Sequence, residues 1–147
     1  MQAVIASGNQ GKIYELRRTL APLSWILLPL SDFEPLMIKE TGSTFDENAV
    51  IKARAASKHT GLPAIADDSG LEVDYLGGRP GIRSARFSNS GKDIDNNSKL
   101  LRALSGVPDE FRTARFCCSI AFLTYHNESD PLVCNAQWEG RILKKAS

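Results

Sequence analysis

Adjacent carboxylates at Asp67 and Asp68, a further one at Glu40, and ammonium groups at Lys12 and Lys52 form a set suited to handling a polyphosphate together with a divalent cation. Carboxylate and phosphate oxygens suit Mg2+, which keeps several of its waters and takes only one or two protein acids. A phosphorus centre polarised in this way is open to attack by water. The paired aspartates close the run Pro63-Ala64-Ile65-Ala66-Asp67-Asp68-Ser69-Gly70. Its small and branched apolar residues suit a strand covered on both faces, and open α/β sheets place their chemistry beyond the carboxyl ends of such strands. Neighbouring strand residues point to opposite faces, so one aspartate is expected to be the working group and the other structural. An Asp-Asp-Ser-Gly turn that only reverses the chain fits the same residues.

The elements that must position this set can be read in order. Gln2 to Ala6 reads as a first strand, followed by the tight loop Ser7-Gly8-Asn9-Gln10-Gly11 and a helix from about Gly11 to Ala21, striped by Ile13, Leu16 and Leu20 and stopped by Pro22. Such a loop offers unpaired backbone N–H groups at the positive end of a helix, and Lys12 adds a full charge, which favours a bound phosphate. It is not a Walker loop, because only two residues separate Gly8 from Gly11 and Ile13 stands where a hydroxyl would be needed.

Trp25 to Leu28 reads as a second strand and Pro29 to Lys39 as a loop. Thr44 and Glu47 have capping-box spacing and open a helix that Gly61 closes. Ala49, Ala53 and Ala56 line its packed face, with Asn48, Lys52, Ala55 and His59 beside them. A helix lysine in that position can simply cover apolar surface with its stem. After the aspartates, Leu71 to Tyr75 reads as another strand and Leu76 to Gly81 as a turn-rich excursion. Arg79, Arg83 and Arg86 can neutralise a polyphosphate or form surface ion pairs. Asp93 to Gly106 reads as a helix, and Phe116 to Tyr125 with Pro131 to Ile142 as an antiparallel hairpin around a polar turn. His59 and His126 have no metal-ligand spacing and read as surface or turn residues.

Composition narrows the class. The 147 residues suit one domain, 1-147, and 42% hydrophobic with 24% charged residues is ordinary for a globular protein. A net charge of +1 gives no field pointing to nucleic acid or an anionic membrane. The longest apolar run, Trp25 to Leu30, cannot span a bilayer, and the first residues do not resemble a signal peptide, so a cytoplasmic location is expected. Cys117, Cys118 and Cys134 lack metal spacing and read as thiols.

Ala6 to Lys12, Glu40-Thr41-Gly42, Thr44-Phe45, Glu47-Asn48-Ala49, Lys52-Ala53, Leu62 to Leu71, Gly77-Gly78, Pro80-Gly81-Ile82, Ser84-Ala85-Arg86, Ala114-Arg115-Phe116, and Trp138 with Gly140 together resemble the inosine triphosphate pyrophosphatase family. The likeness is nearest to its RdgB-type bacterial dITP/XTP pyrophosphatases and covers essentially the whole chain in order. It implies an elongated α/β fold with a long mixed sheet and flanking helices, two lobes around a nucleotide cleft, and a homodimer. It also implies Mg2+-dependent hydrolysis of ITP, dITP and XTP to the monophosphate and pyrophosphate, which removes deaminated purines from the nucleotide pool.

Carried over position by position, Ser7, Gly8, Asn9, Gln10, Gly11 and Lys12 would hold the triphosphate, with Lys52 a second cation and Ser69 a substrate contact. The same carry-over makes Asp68 the catalytic acid, with Glu40 and Asp68 toward Mg2+ and Asp67 in support. The family pattern continues beyond the equivalent of Ser147 into Gly-Phe-Gly-Tyr-Asp-Pro and Ser-His-Arg blocks that read the base, and these are not in this sequence. Discrimination of a 6-oxo purine needs donors aimed at the base oxygen, so selectivity is expected to suffer, and an exposed edge or face is expected after Ile142. The alternative reading is a non-catalytic nucleotide- or phosphate-binding remnant. A phosphatase of the Maf type would open on a Ser-Pro-Arg-Arg loop, which is absent.

Overall fold

The computed structural model describes residues 1–146. Five strands, β1 (Gln2–Ala6), β2 (Ile26–Pro29), β3 (Ala64–Val73), β4 (Thr113–Leu123) and β5 (Leu132–Arg141), form a mixed sheet in the order β2-β1-β3-β4-β5. The α-helices are α1 (Gln10–Leu20), α2 (Phe45–Thr60) and α3 (Asp93–Ala103). No helix among the described residues is long and apolar enough to cross a membrane. Contacts sort the chain into two compact units, Met1–Asp68 with Ser119–Cys134, and Ser69–Cys118 with Asn135 onward.

In the first unit the pleat decides what each strand residue touches. Val4, Ala6, Ala64, Ala66, Ala121 and Leu123 pack with Ala49, Ala53 and Ala56 of α2 on one face. Ala3, Ile5 and Ile65 pack with Ile13 of α1 on the other. Strands buried on both sides read as continuous apolar runs, as β1 and the start of β3 do. Both helices start where side-chain chemistry starts them. Asn9 caps α1 by accepting from the Lys12 N–H at 3.2 Å, and Thr44 caps α2 by accepting from the Glu47 N–H at 3.1 Å. Gly61 closes α2 at φ 72°, as its position after the last helical residue predicts.

The expected break after the aspartates does not occur. One strand runs from Ala64 to Val73 through Asp67, Asp68, Ser69 and Gly70, joining what read as two strands and a turn. Turn chemistry loses here because the Asp67 carboxylate and backbone carbonyl find partners in Lys12 and Lys52 without the chain turning toward water.

The second unit packs Val73, Leu100, Leu104, Val107 and Ala114 into its own core. Arg112, 3% exposed, donates to the carbonyls of Leu104 (2.7 Å), Val107 (3.3 Å), Ile142 (2.9 Å) and Leu143 (2.8 Å). Arg115 gathers Glu72, Asp74 and Glu139, and the Thr113 hydroxyl, with Arg115 beside it, holds the Asp74 carboxyl below its ordinary pKa. Arg79, Arg83 and Arg86 are exposed. Strand β5 is solvent-exposed over nearly its whole length, with Trp138 at 81%.

Candidate active site

Parallel pairing fixes where the chemistry gathers. Val4, Ile5 and Ala6 lie opposite Ala64, Ile65 and Ala66, so β1 runs out beside the position where β3 reaches its acids. The loop Ser7 to Lys12 therefore starts next to Asp67, at the carboxyl end of β1, where β3 continues past it. Continuing the alternation of the core sends residue 67 to the α1 face and residue 68 to the α2 face.

The contacts follow that rule. Asp67 is 4% exposed and its carboxylate pairs with the Lys12 ammonium from the start of α1. Asp68 faces α2, where Asn48 and Lys52 stand one turn apart on the same side. The Lys52 ammonium donates to the Asp67 carbonyl at 2.8 Å and lies 3.3 Å from the Glu40 carboxylate. Asn48, 2% exposed, accepts from the Gly42 N–H at 2.8 Å and also hydrogen-bonds Asp68.

Burial raises the Asp68 pKa above the ordinary aspartate value and the Glu40 charge adds to the rise, while Lys52 and the Asn48 hydrogen bond oppose it. Its Oδ2 is buried with no hydrogen-bond partner. A buried polar atom left in that state calls for an explanation such as an ion or a ligand. Here it belongs to an acid next to a second acid and a cation.

Before the strands' ends lies the capped loop. The Asn9 side-chain oxygen is taken by the Lys12 N–H of α1, and the Asn9 N–H donates to Ser7 Oγ at 3.2 Å. At Gly8 an added Cβ would meet nothing within 4 Å. Open space in front of an exposed backbone lets a ligand approach closely. Ser7, Gly8 and Lys52 border a concavity of about 520 Å3 walled by Leu30, Phe33 and Leu36.

Lys12, Glu40, Lys52, Asp67 and Asp68 are thus brought together around one strand end, with Ser7 to Gly11 in the adjoining loop. Ser69 opens the second unit, where it borders a cavity of about 310 Å3 with Leu71, Ser84 and Phe87. Asn48 was not among the expected site residues. The signal for it was its place one turn before Lys52, on the helix face that the lysine shares.

The family model described as the Ham1 family matches residues 3–147. The chain belongs to the Ham1 family. It is 54% identical over 144 residues to the dITP/XTP pyrophosphatase of Photobacterium profundum, covering 97% of this chain and 73% of that one. It is 51% identical to the dITP/XTP pyrophosphatase of Vibrio parahaemolyticus, covering 97% and 72%. The HAM1 protein of Coxiella burnetii superimposes with a TM-score of 0.89 at 42% identity, covering 99% of this chain and 74% of that one. This Ham1-family chain therefore spans about three quarters of the length of these relatives, and its α/β fold is theirs.

Proposed function

We propose that this chain hydrolyses the α–β anhydride of nonstandard purine nucleoside triphosphates, dITP, ITP and XTP, giving the monophosphate and pyrophosphate. The relatives' activity supports the substrate class. The observation that carries the reading is Asp68, a half-buried carboxylate with one buried, unpartnered oxygen, held beside Glu40 and Lys52 at the mouth of a glycine loop. Ser7 to Gly11 would supply N–H groups to the phosphate oxygens, and Lys12 and Lys52 would neutralise their charge, with Ser69 as a further substrate contact. Asp68 would take the proton of the attacking water, a role suited by a pKa raised toward the operating pH. Asp67 would hold Lys12 in place.

The donor set fits Mg2+, since two acids, Glu40 and Asp68, leave room for waters and phosphate oxygens in its shell. When bound there, Mg2+ would neutralise charge developing on the phosphates. A nucleotide cleft, a homodimer and a cytoplasmic location accompany the reading, and light scattering after gel filtration tests the dimer. The decisive variant is Asp68→Asn. It should lower Mg2+-dependent pyrophosphate release from dITP more than about a hundredfold with an unchanged circular dichroism spectrum. Turnover near that of the unmodified chain would contradict the assignment.

A further inference from the structure

We propose that Asn48 is the positioning residue of this site, holding Asp68 and the Glu40-Thr41-Gly42 segment in one fixed relation; the inference rests on the catalytic reading of Asp68. The orientation of its amide follows from its partners. The Gly42 N–H only donates, so the Asn48 atom facing it at 2.8 Å is the oxygen, and the NH2 group faces the Asp68 carboxylate. Because Asp68 Oδ2 has no partner, the amide holds the other oxygen, Oδ1, and leaves Oδ2 for chemistry.

The second half of the clamp is equally tight. A Cβ at Gly42 would lie 2.7 Å from the Asn48 oxygen and 2.7 Å from the Glu47 Cβ, so the segment rests directly on the start of α2 and only glycine fits there. Glu40, two residues upstream, is tied at 3.3 Å to Lys52, one turn along the helix from Asn48. One buried amide thereby sets the placement of both acids.

Two variants separate the halves of the clamp. Asn48→Ala removes both bonds, whereas Asn48→Asp keeps the volume and the acceptor for Gly42 but replaces the donor with a second carboxylate. Each is expected to lower kcat for dITP about tenfold to a hundredfold with KM changed less than about threefold, the size expected for a lost hydrogen bond to a charged group. Placed on Asp68→Asn, Asn48→Ala should cost less than about a further twofold, because residues acting through one another are not additive.

Equal losses in both backgrounds, or a loss confined to KM, would overturn the proposal. Crystal structures of the two variants give a readout that needs no turnover. The Asp68 carboxylate should leave its present rotamer in both, and the Glu40–Lys52 contact should lengthen in Asn48→Ala alone. An unmoved Asp68 refutes the positioning role. Absence of dITP hydrolysis by the unmodified chain would instead refute the catalytic reading, and the crystallographic outcome would still decide what Asn48 does.

Discussion

Asp67 and Asp68 share a side chain and a strand, yet the pleat gives one a full cation and the other a second acid, an amide and an unpartnered oxygen. The consequence for stability can be worked out by sign. A raised pKa means that the folded state holds the Asp68 proton more tightly than the unfolded chain does. Stability from this group is therefore greatest at low pH, and it is lost as pH rises from the unfolded aspartate value, about 4, through the higher folded value. Without Mg2+, Asp68→Asn should accordingly melt a few degrees above the unmodified chain at pH 7, with the gap closing toward pH 4 in a thermal scan. Gly8 supplies a second residue-scale test. Because a Cβ there meets open space, Gly8→Ala should leave the melting temperature within about 2 °C while raising KM for dITP several-fold through lost close approach to the loop. The sequence offered the charged members as a set of acids and lysines, and the family resemblance gave them roles, while their meeting at the end of β1 is seen only in the fold. Asn48 was marked in the sequence only by its place one turn before Lys52, and its meaning comes from Asp68, which only the fold brings near.

Elements were legible to the degree that local chemistry fixes them. The Thr44 cap, the Gly61 stop and the alanine stripe of α2 all stand where residue type and spacing put them. Strand β3 was read as two pieces because Asp-Asp-Ser-Gly carries strong turn signals, and only long-range partners from α1 and α2 make a straight path through it favourable. Arg112 is a comparable case in the second unit. A buried guanidinium spread over four carbonyls ties the end of α3 to the residues after β5, and backbone acceptors leave no mark in the sequence. Replacing it with alanine leaves those carbonyls short of donors, and Arg112→Ala should cost about 3 kcal/mol in urea unfolding. A loss under about 1 kcal/mol would show that water replaces the guanidinium without penalty.

For the molecule as a whole, sequence periodicity supplied an α/β class and the helices, while strand order and register, which put Ser7 beside Asp67, emerged only in three dimensions. The family likeness itself is borne out by the match to the Ham1 family. The central claim is that the gathered acids and lysines hydrolyse a triphosphate. The most direct measurement is pyrophosphate release from dITP by the unmodified chain and by Asp68→Asn, each with and without Mg2+. The account predicts Mg2+-dependent release from the unmodified chain and more than about a hundredfold less from Asp68→Asn. No release under any condition, or equal release from both proteins, would contradict it.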